Sequence, residues 1–195
     1  MFKRSGAMLH MAFLAALLAA APVLARAGED LKRVHALGVG LADPGTGHKL
    51  DSTTRDAAMV AEAFEQASGY DPEASRIVKL VDDDPDSPAR PTPDEIRRRL
   101  AAMAGEAGEG DRVVFYFSGH GDKDGDGRSF LVCHGGRDKE DPRSRLPLSD
   151  VRSILAESGA ESKLVIVDAC HSGGKAGGAN GLTPEEISRA FAPES

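Results

Sequence analysis

Apolar residues along the chain follow two different periods from residue 34 onward. Continuous apolar runs of strand length are typical of strands buried on both faces of a parallel sheet, whereas apolar residues spaced three or four apart predict amphipathic helices. Runs of the first kind predict main strands at residues 113–117 and 164–167, and mainly apolar stretches predict two more at residues 34–41 and 76–81. A shorter run at residues 129–133 predicts an additional hairpin strand.

Helical spacing separates these strands. Helices are predicted over residues 54–68 and 151–157. Between them, Thr92 and Glu95 have the spacing of a capping box, and Pro93 occupies the first helical position, which predicts the start of another helix. Because strands and helices alternate, the predicted fold is α/β, a three-layer α/β/α sandwich with a mostly parallel sheet.

The first residues do not belong to this pattern. Residues 1–27 combine a basic start, a long apolar stretch and the small-x-small triplet at 25–27 that signal peptidase recognises, which predicts a secretory signal peptide. A membrane anchor is the alternative, since the apolar stretch approaches the length of a membrane span. The cleavage pattern favours removal and export to the periplasm or the extracellular space. Removal shifts the formal charge from −7 to −10, because the segment carries three basic and no acidic residues.

The remainder is predicted to be one catalytic domain, residues 28–181, followed by a short helix within residues 182–195. A capping box and a hydrophobic pair, Leu182 and Ile187, mark the start of that helix. Because four main strands make a small sheet, either the domain is compact and complete or this is the front part of a longer, truncated fold.

Composition excludes several classes of protein. The 195 residues are 41% hydrophobic and 28% charged, which suits a single globular domain. A net charge of −7 argues against a nucleic-acid partner, because binding to phosphates needs a basic surface. Two cysteines are too few for a disulfide-dense mini-protein or a four-cysteine zinc module. After removal of the signal peptide, no membrane partner is expected either.

Reactive side chains follow two of the predicted strands. The third main strand runs into residues 118–121 (SGHG), and the fourth runs into residues 168–174 (DACHSGG). Catalytic groups collect at the carboxyl ends of such strands, and neighbouring strands lie about 4.8 Å apart. We therefore expect the His120 imidazole and the Cys170 thiol to face each other as base and nucleophile. The N–H groups of Gly121 and Cys170 can then hold an oxyanion.

The motifs FYFSGHG and VIVDACHSGG together resemble those of caspase-like cysteine peptidases, and particularly of bacterial metacaspase-like proteins. The resemblance extends over about residues 34–174, the region that corresponds to the large catalytic subunit. It implies a caspase-like sheet and identifies His120 and Cys170 as the catalytic dyad. It also implies that Gly121 contributes an oxyanion N–H.

The resemblance further implies a substrate preference. Metacaspases have an acidic pocket for Arg or Lys before the scissile bond, and its positions correspond to Asp56 and Asp168, with Ser118 beside them. The predicted function is therefore that of a cysteine endopeptidase that cleaves protein or peptide substrates after Arg or Lys. The alternative is a noncatalytic interaction module with the same fold, which the short C-terminus motivates. The sequence predicts no oligomeric state.

Three aspartates suggest a cation site. Asp122, Asp124 and Asp126 have the spacing of the first half of a calcium loop, but Cys133 occupies the twelfth position, where an EF-hand requires Glu. A solvated acidic loop is slightly favoured over a calcium site. Since calcium dependence is common among metacaspases, calcium stays a candidate activator, while the peptidase chemistry itself requires no cofactor.

The second cysteine and the downstream segment raise two side questions. Cys133 is predicted to be a core residue, and a Cys133–Cys170 disulfide is the disfavoured alternative, because it would block the predicted nucleophile. Autocleavage after Lys175 or Arg189 is a further expectation, since both basic residues are predicted to follow the nucleophile in a flexible segment.

Overall fold

A computed structural model describes residues 33–43, 50, 52–66, 71, 73–84, 86–135, 141–169 and 182–192. The strands within these ranges are β1 (Val34–Gly40), β2 (Arg76–Val81), β3 (Arg112–Gly119), β4 (Gly121–Lys123), β5 (Ser129–Val132), β6 (Arg145–Pro147) and β7 (Ser162–Ala169). The α-helices are α1 (Thr53–Gln66), α2 (Pro93–Glu106), α3 (Leu148–Ala156) and α4 (Pro184–Ala190), and a 3₁₀ turn covers Pro142–Ser144. The predicted signal peptide and the predicted nucleophile Cys170 lie outside the described residues.

The main sheet has the order β2-β1-β3-β7, and all of its strands are parallel. This arrangement confirms the four predicted main strands. A second, antiparallel sheet has the order β4-β5-β6. Of its strands only β5 was expected, because β4 and β6 have three residues each and are too short to carry a recognisable period.

Helices cover both faces of the main sheet and make the predicted three layers. On one face, α1 contributes Ala57, Val60 and Phe64 to a cluster with Val114 and Tyr116 of β3. On the other face, a larger cluster joins β1 and β3 to α2 and α3. Its buried side chains include Leu37, Phe115, Phe117, Ile96, Leu100, Met103, Val151 and Leu155. The central strands β1 and β3 are buried along their entire length, as is typical of the inner strands of a parallel sheet with helices on both faces.

One predicted capping box forms only in part. The Thr92 hydroxyl accepts a hydrogen bond from the Glu95 N–H at 3.2 Å, so Thr92 is the N-cap of α2. The Glu95 carboxylate instead binds the guanidinium groups of Arg98 and Arg99, each at 2.6 Å. These two arginines, Arg98 first, lower the pKa of Glu95 to about 2 although partial burial opposes them. The charge-assisted bonds have replaced the weaker return bond to the cap.

The C-terminal helix has the complete motif. The Thr183 hydroxyl accepts from the Glu186 N–H, and the Glu186 carboxylate accepts from the Thr183 N–H at 2.9 Å. Both members of the predicted hydrophobic pair, Leu182 and Ile187, pack in the larger core cluster. None of the described helices is long and apolar enough to cross a membrane.

Candidate active site

The two strands that carry the predicted catalytic motifs are neighbours in the main sheet. Along the register of β3 and β7, Ser118 pairs with Asp168 and Gly119 pairs with Ala169. His120 follows Gly119 directly, and Cys170, which lies outside the described residues, is the residue after Ala169. The expectation that these two strands end side by side is therefore confirmed.

The row of paired residues continues to β1, where Gly40 pairs with Ser118. Side chains alternate between the faces of a strand, and Val114 and Tyr116 of β3 pack against α1. Ser118 consequently lies on the α1 face, and Asp168 lies on the same face by its alternation with Leu164 and Ile166. Ser118 is 2% exposed, so its hydroxyl belongs to the wall of the site rather than to its rim.

The start of α1 brings a second carboxylate to this edge of the sheet. Asp56 lies in the first turn of α1 and is 8% exposed. The same turn packs directly on Gly40, because a methyl group there would lie 2.5 Å from the Thr53 carbonyl oxygen and 2.9 Å from the Thr54 Cα. Only a glycine at position 40 permits that approach. Asp56, Ser118 and Asp168 therefore share one face at the carboxyl edge of the sheet.

A buried hydroxyl accompanies Asp56. The Thr53 side chain is 5% exposed, and its oxygen has no hydrogen-bond partner among the residues that the structure describes. Sequence reasoning did not single out Thr53, since an N-terminal helix threonine is ordinarily a cap. A partnerless hydroxyl beside a buried carboxylate adds a second polar group to the α1 side of the site.

The turn that carries His120 is held on both sides by backbone pairing. The His120 carbonyl accepts a hydrogen bond from the Val132 N–H at 2.8 Å, and Gly121 opens β4 by pairing with Leu131 of β5. His120 is half-buried and Gly121 is buried. The second sheet therefore anchors the residues on which the predicted base and the predicted oxyanion donor lie.

Two residues that lie much later in the sequence, Ala169 and Leu182, are close neighbours of Gly121. A methyl group on its Cα would lie 2.8 Å from Leu182 Cδ1 and 3.1 Å from Ala169 Cβ. The contact with Leu182 was not predicted, because it depends on where α4 docks. Lys123 of β4 also forms an ion pair with Glu186 of α4 at 2.5 Å, which the sequence motif at Glu186 did not reveal.

The three aspartates of the suggested calcium loop have protein partners in the described residues. Asp122 accepts from the Lys123 N–H, and Asp124 accepts from the N–H groups of Asp126 and Arg128. The Arg128 guanidinium binds Asp124 and Asp126, each at 2.8 Å. The pKa of Asp124 is lowered by these bonds, and the largest contribution comes from the backbone N–H of Arg128. No group of three metal-ligating side chains occurs among the described residues.

The remaining predicted positions are separate from this edge or undescribed. Cys133 is a free, fully buried thiol whose Sγ lies 3.7 Å from the Leu131 carbonyl oxygen, and burial raises the pKa of that thiol. Arg189 lies inside α4 rather than in the flexible segment that was expected, because the capping box at Thr183 starts a helix that includes it. Lys175 lies outside the described residues.

Comparisons with known proteins agree with the resemblance. The family model of the caspase domain, peptidase C14, matches residues 33–192. Metacaspase-4 of Arabidopsis thaliana is 29% identical over 143 residues, which cover 70% of this chain and 32% of that protein. The chain thus spans about a third of the length of that relative. Protein GSU0716 of Geobacter sulfurreducens has a similar fold, with a TM-score of 0.53 and 22% identity over 73% of this chain and 52% of its own.

Proposed function

Because this chain belongs to the caspase-domain family of cysteine peptidases, we propose that it is an endopeptidase that cleaves peptide bonds after Arg or Lys. The observation that carries the proposal is the register of β3 and β7, in which Gly119 pairs with Ala169. In the sequence, His120 directly follows Gly119 and Cys170 directly follows Ala169, which supports the pairing of these two residues in the proposal. A thiol and an imidazole at one sheet edge are the groups that nucleophilic catalysis on a carbonyl requires.

In the proposed mechanism, the Cys170 thiolate attacks the carbonyl carbon of the scissile bond. The N–H groups of Gly121 and Cys170 stabilise the oxyanion of the tetrahedral intermediate. His120, which holds the thiol proton as an imidazolium, protonates the leaving amine, and the intermediate collapses to a thioester. Water then adds to the thioester with His120 as base, and its collapse releases the acid and restores the thiol.

The proposed preference for Arg or Lys rests on charge at the same edge. Asp56 and Asp168 share the α1 face with the buried Ser118. A guanidinium or ammonium group that enters this face exchanges water for charge-assisted hydrogen bonds to two carboxylates. An acidic side chain would meet like charge there.

The test is turnover of peptide reporters with Arg, Lys, Asp or Leu before the cleaved bond. We expect the wild type to cleave the first two, and Cys170→Ala and His120→Ala to lose cleavage by about a thousandfold or more. Iodoacetamide should inactivate the native enzyme and label Cys170 while leaving the buried Cys133 unmodified. Equal turnover by the wild type and Cys170→Ala contradicts the proposal and leaves the noncatalytic module as the alternative.

Three further expectations belong to the proposal. Residues 1–27 are proposed to direct export and to be removed, and intact-mass measurement of the exported protein should give a chain that begins at Gly28.

Calcium is proposed as an activator rather than as a reactant. Arg128 already binds Asp124 and Asp126, so an ion that enters this loop must displace the guanidinium group. Autocleavage after Lys175 is tested by mass spectrometry with and without calcium.

A further inference from the structure

The end of β7 and the residue before α4 both lie against Gly121, the first residue of β4. Ala169 ends β7, Leu182 precedes α4, and the side chains of both lie against the Cα of Gly121. Leu182 is 3% exposed and belongs to the core cluster that fills the sandwich. The space that a side chain at position 121 would occupy is therefore filled by Leu182.

α4 is attached to the body of the domain by contacts of several kinds. Ile187 and Phe191 pack against the core cluster, and the Arg152 guanidinium donates to the Ala192 carbonyl at 3.3 Å. On the other side, Lys123 of β4 pairs with Glu186. One carboxylate thus serves two purposes, because its second oxygen accepts from the Thr183 N–H and completes the helix cap.

The Lys123–Glu186 pair joins the end of β4 to the start of α4. Since β4 has three residues and begins at Gly121, the strand places this ion pair two residues from the glycine on which Leu182 packs. The hydrogen bond from Lys123, and after it the one from the Thr183 N–H, lower the pKa of Glu186. Leu182 therefore contacts the first residue of β4, Gly121, and Glu186 binds its last residue, Lys123.

We propose that Leu182 and the Lys123–Glu186 pair are positioning residues, which hold the Gly121 N–H and the adjoining His120 in place for catalysis. The inference rests on the proposed function and deepens it by assigning a role to α4. Oxyanion donors act only when they are fixed in advance at the developing charge, and a displacement of about 1 Å can reduce a rate by about a hundredfold. A three-residue strand supplies little rigidity of its own, so packing from α4 supplies the rest.

The main test compares two leucines of the same core cluster. Leu182→Ala should lower kcat on an Arg reporter by about tenfold or more while KM changes by less than about twofold. Leu182→Met, which keeps the volume, should retain nearly full kcat. Leu155→Ala is the matched control, because Leu155 is 4% exposed in the same cluster but lies on α3. It should lose thermal stability with kcat unchanged at a temperature where every variant is folded.

The ion pair is tested separately. Glu186→Gln keeps an oxygen for the Thr183 N–H but removes the charge that faces Lys123, and we expect a two- to fivefold loss of kcat, about the size of one exposed pair. Lys123→Ala should lower kcat by the same factor, and Lys123→Arg, which keeps the positive charge, should retain the kcat of the wild type. Arg76→Ala breaks the Arg76–Glu106 pair at the amino end of the sheet and should leave kcat unchanged.

The outcomes separate the two proposals. A wild type that cleaves no reporter overturns the proposed function and this inference with it. A wild type that cleaves, together with equal kcat for Leu182→Ala and Leu155→Ala, overturns the positioning role alone. A loss that appears in KM rather than in kcat also overturns it, because Leu182 would then shape substrate binding instead of the oxyanion site.

Discussion

Ser118 of β3 and Asp168 of β7 are direct neighbours across two parallel strands, and both lie on the face of the sheet that α1 covers. The first turn of α1 places the buried Asp56 at the same edge. A strand pair, a helix start and one glycine contact therefore bring together three residues that are separated by 112 positions in the sequence. The chemistry proposed for this edge depends on that convergence.

Removing either carboxylate should reduce cleavage after Arg. For Asp168→Asn and Asp56→Asn we expect kcat/KM on an Arg reporter to fall by about 10- to 100-fold, because each charge-assisted hydrogen bond contributes roughly 1.5–3 kcal/mol. Glu62→Gln, on the exposed side of the same helix α1, is the control and should have no effect. Unchanged kcat/KM in both Asp variants would mean that the basic side chain binds elsewhere.

The close contact between Gly40 and α1 predicts opposite effects for two glycine-to-alanine changes. In Gly40→Ala the new methyl group meets the backbone of Thr53 and Thr54, which cannot move without shifting the helix. We expect a loss of about 1–3 kcal/mol in the free energy of unfolding and weaker cleavage, since Asp56 moves with the turn. Gly105→Ala has open space around it within α2 and should stabilise the protein by about 0.5–1 kcal/mol. Urea titrations of both variants measure the difference, and two changes of the same sign would argue against the contact.

The main sheet could be predicted because two of its strands carry apolar runs of strand length and its central strands, β1 and β3, are buried along their length. Residues 113–117 are apolar without interruption, and the same is true of residues 164–167. The structure extends both strands into polar residues, as far as Gly119 and Ala169, because the backbone ladder continues after the apolar run has ended. The polar ends of these strands are where the predicted chemistry lies, so the least predictable boundaries are also the ones closest to the site.

The part of the site that sequence patterns missed depends on docking between distant elements. The capping box at Thr183 predicted a helix, but nothing local specifies that its Glu186 meets Lys123 or that Leu182 packs on Gly121. Likewise, the capping box at Thr92 is incomplete because Arg98 and Arg99 bind the Glu95 carboxylate. The spacing of Thr92 and Glu95 alone does not reveal these competing partners. Helix starts can be predicted locally, whereas the partners of their side chains are set by tertiary structure.

Arg128 should oppose calcium binding to the acidic hairpin. Its guanidinium group binds Asp124 and Asp126, so the ion must displace it. In Arg128→Ala we expect the calcium concentration for half-maximal activation to fall by roughly tenfold, which corresponds to about one charge-assisted contact of 1.4 kcal/mol. Activity titrations in calcium buffers measure this concentration. An identical calcium response in the variant would place any activating ion outside this loop.

His35 should make the stability of the domain depend on pH. The residue lies in the buried strand β1, is 2% exposed, and neither ring nitrogen has a hydrogen-bond partner among the described residues. Burial lowers the pKa of His35 below its usual 6.5, against the opposing effect of the Asp111 carboxylate. The other charged groups that act on it are Arg33, Glu106 and Arg76.

The direction of the effect follows from proton binding. As the pH falls below about 6.5, His35 takes up a proton in the unfolded chain before it does so in the folded domain, so the free energy of unfolding decreases. The decrease is at most about 1.4 kcal/mol per pH unit for this residue. His35→Phe removes both the titration and the unsatisfied nitrogens, and it should stabilise the domain by about 1 kcal/mol at pH 7.5 and by more at pH 5. Urea unfolding of the two proteins across this range tests the prediction, and parallel pH profiles would show that His35 does not contribute to acid sensitivity.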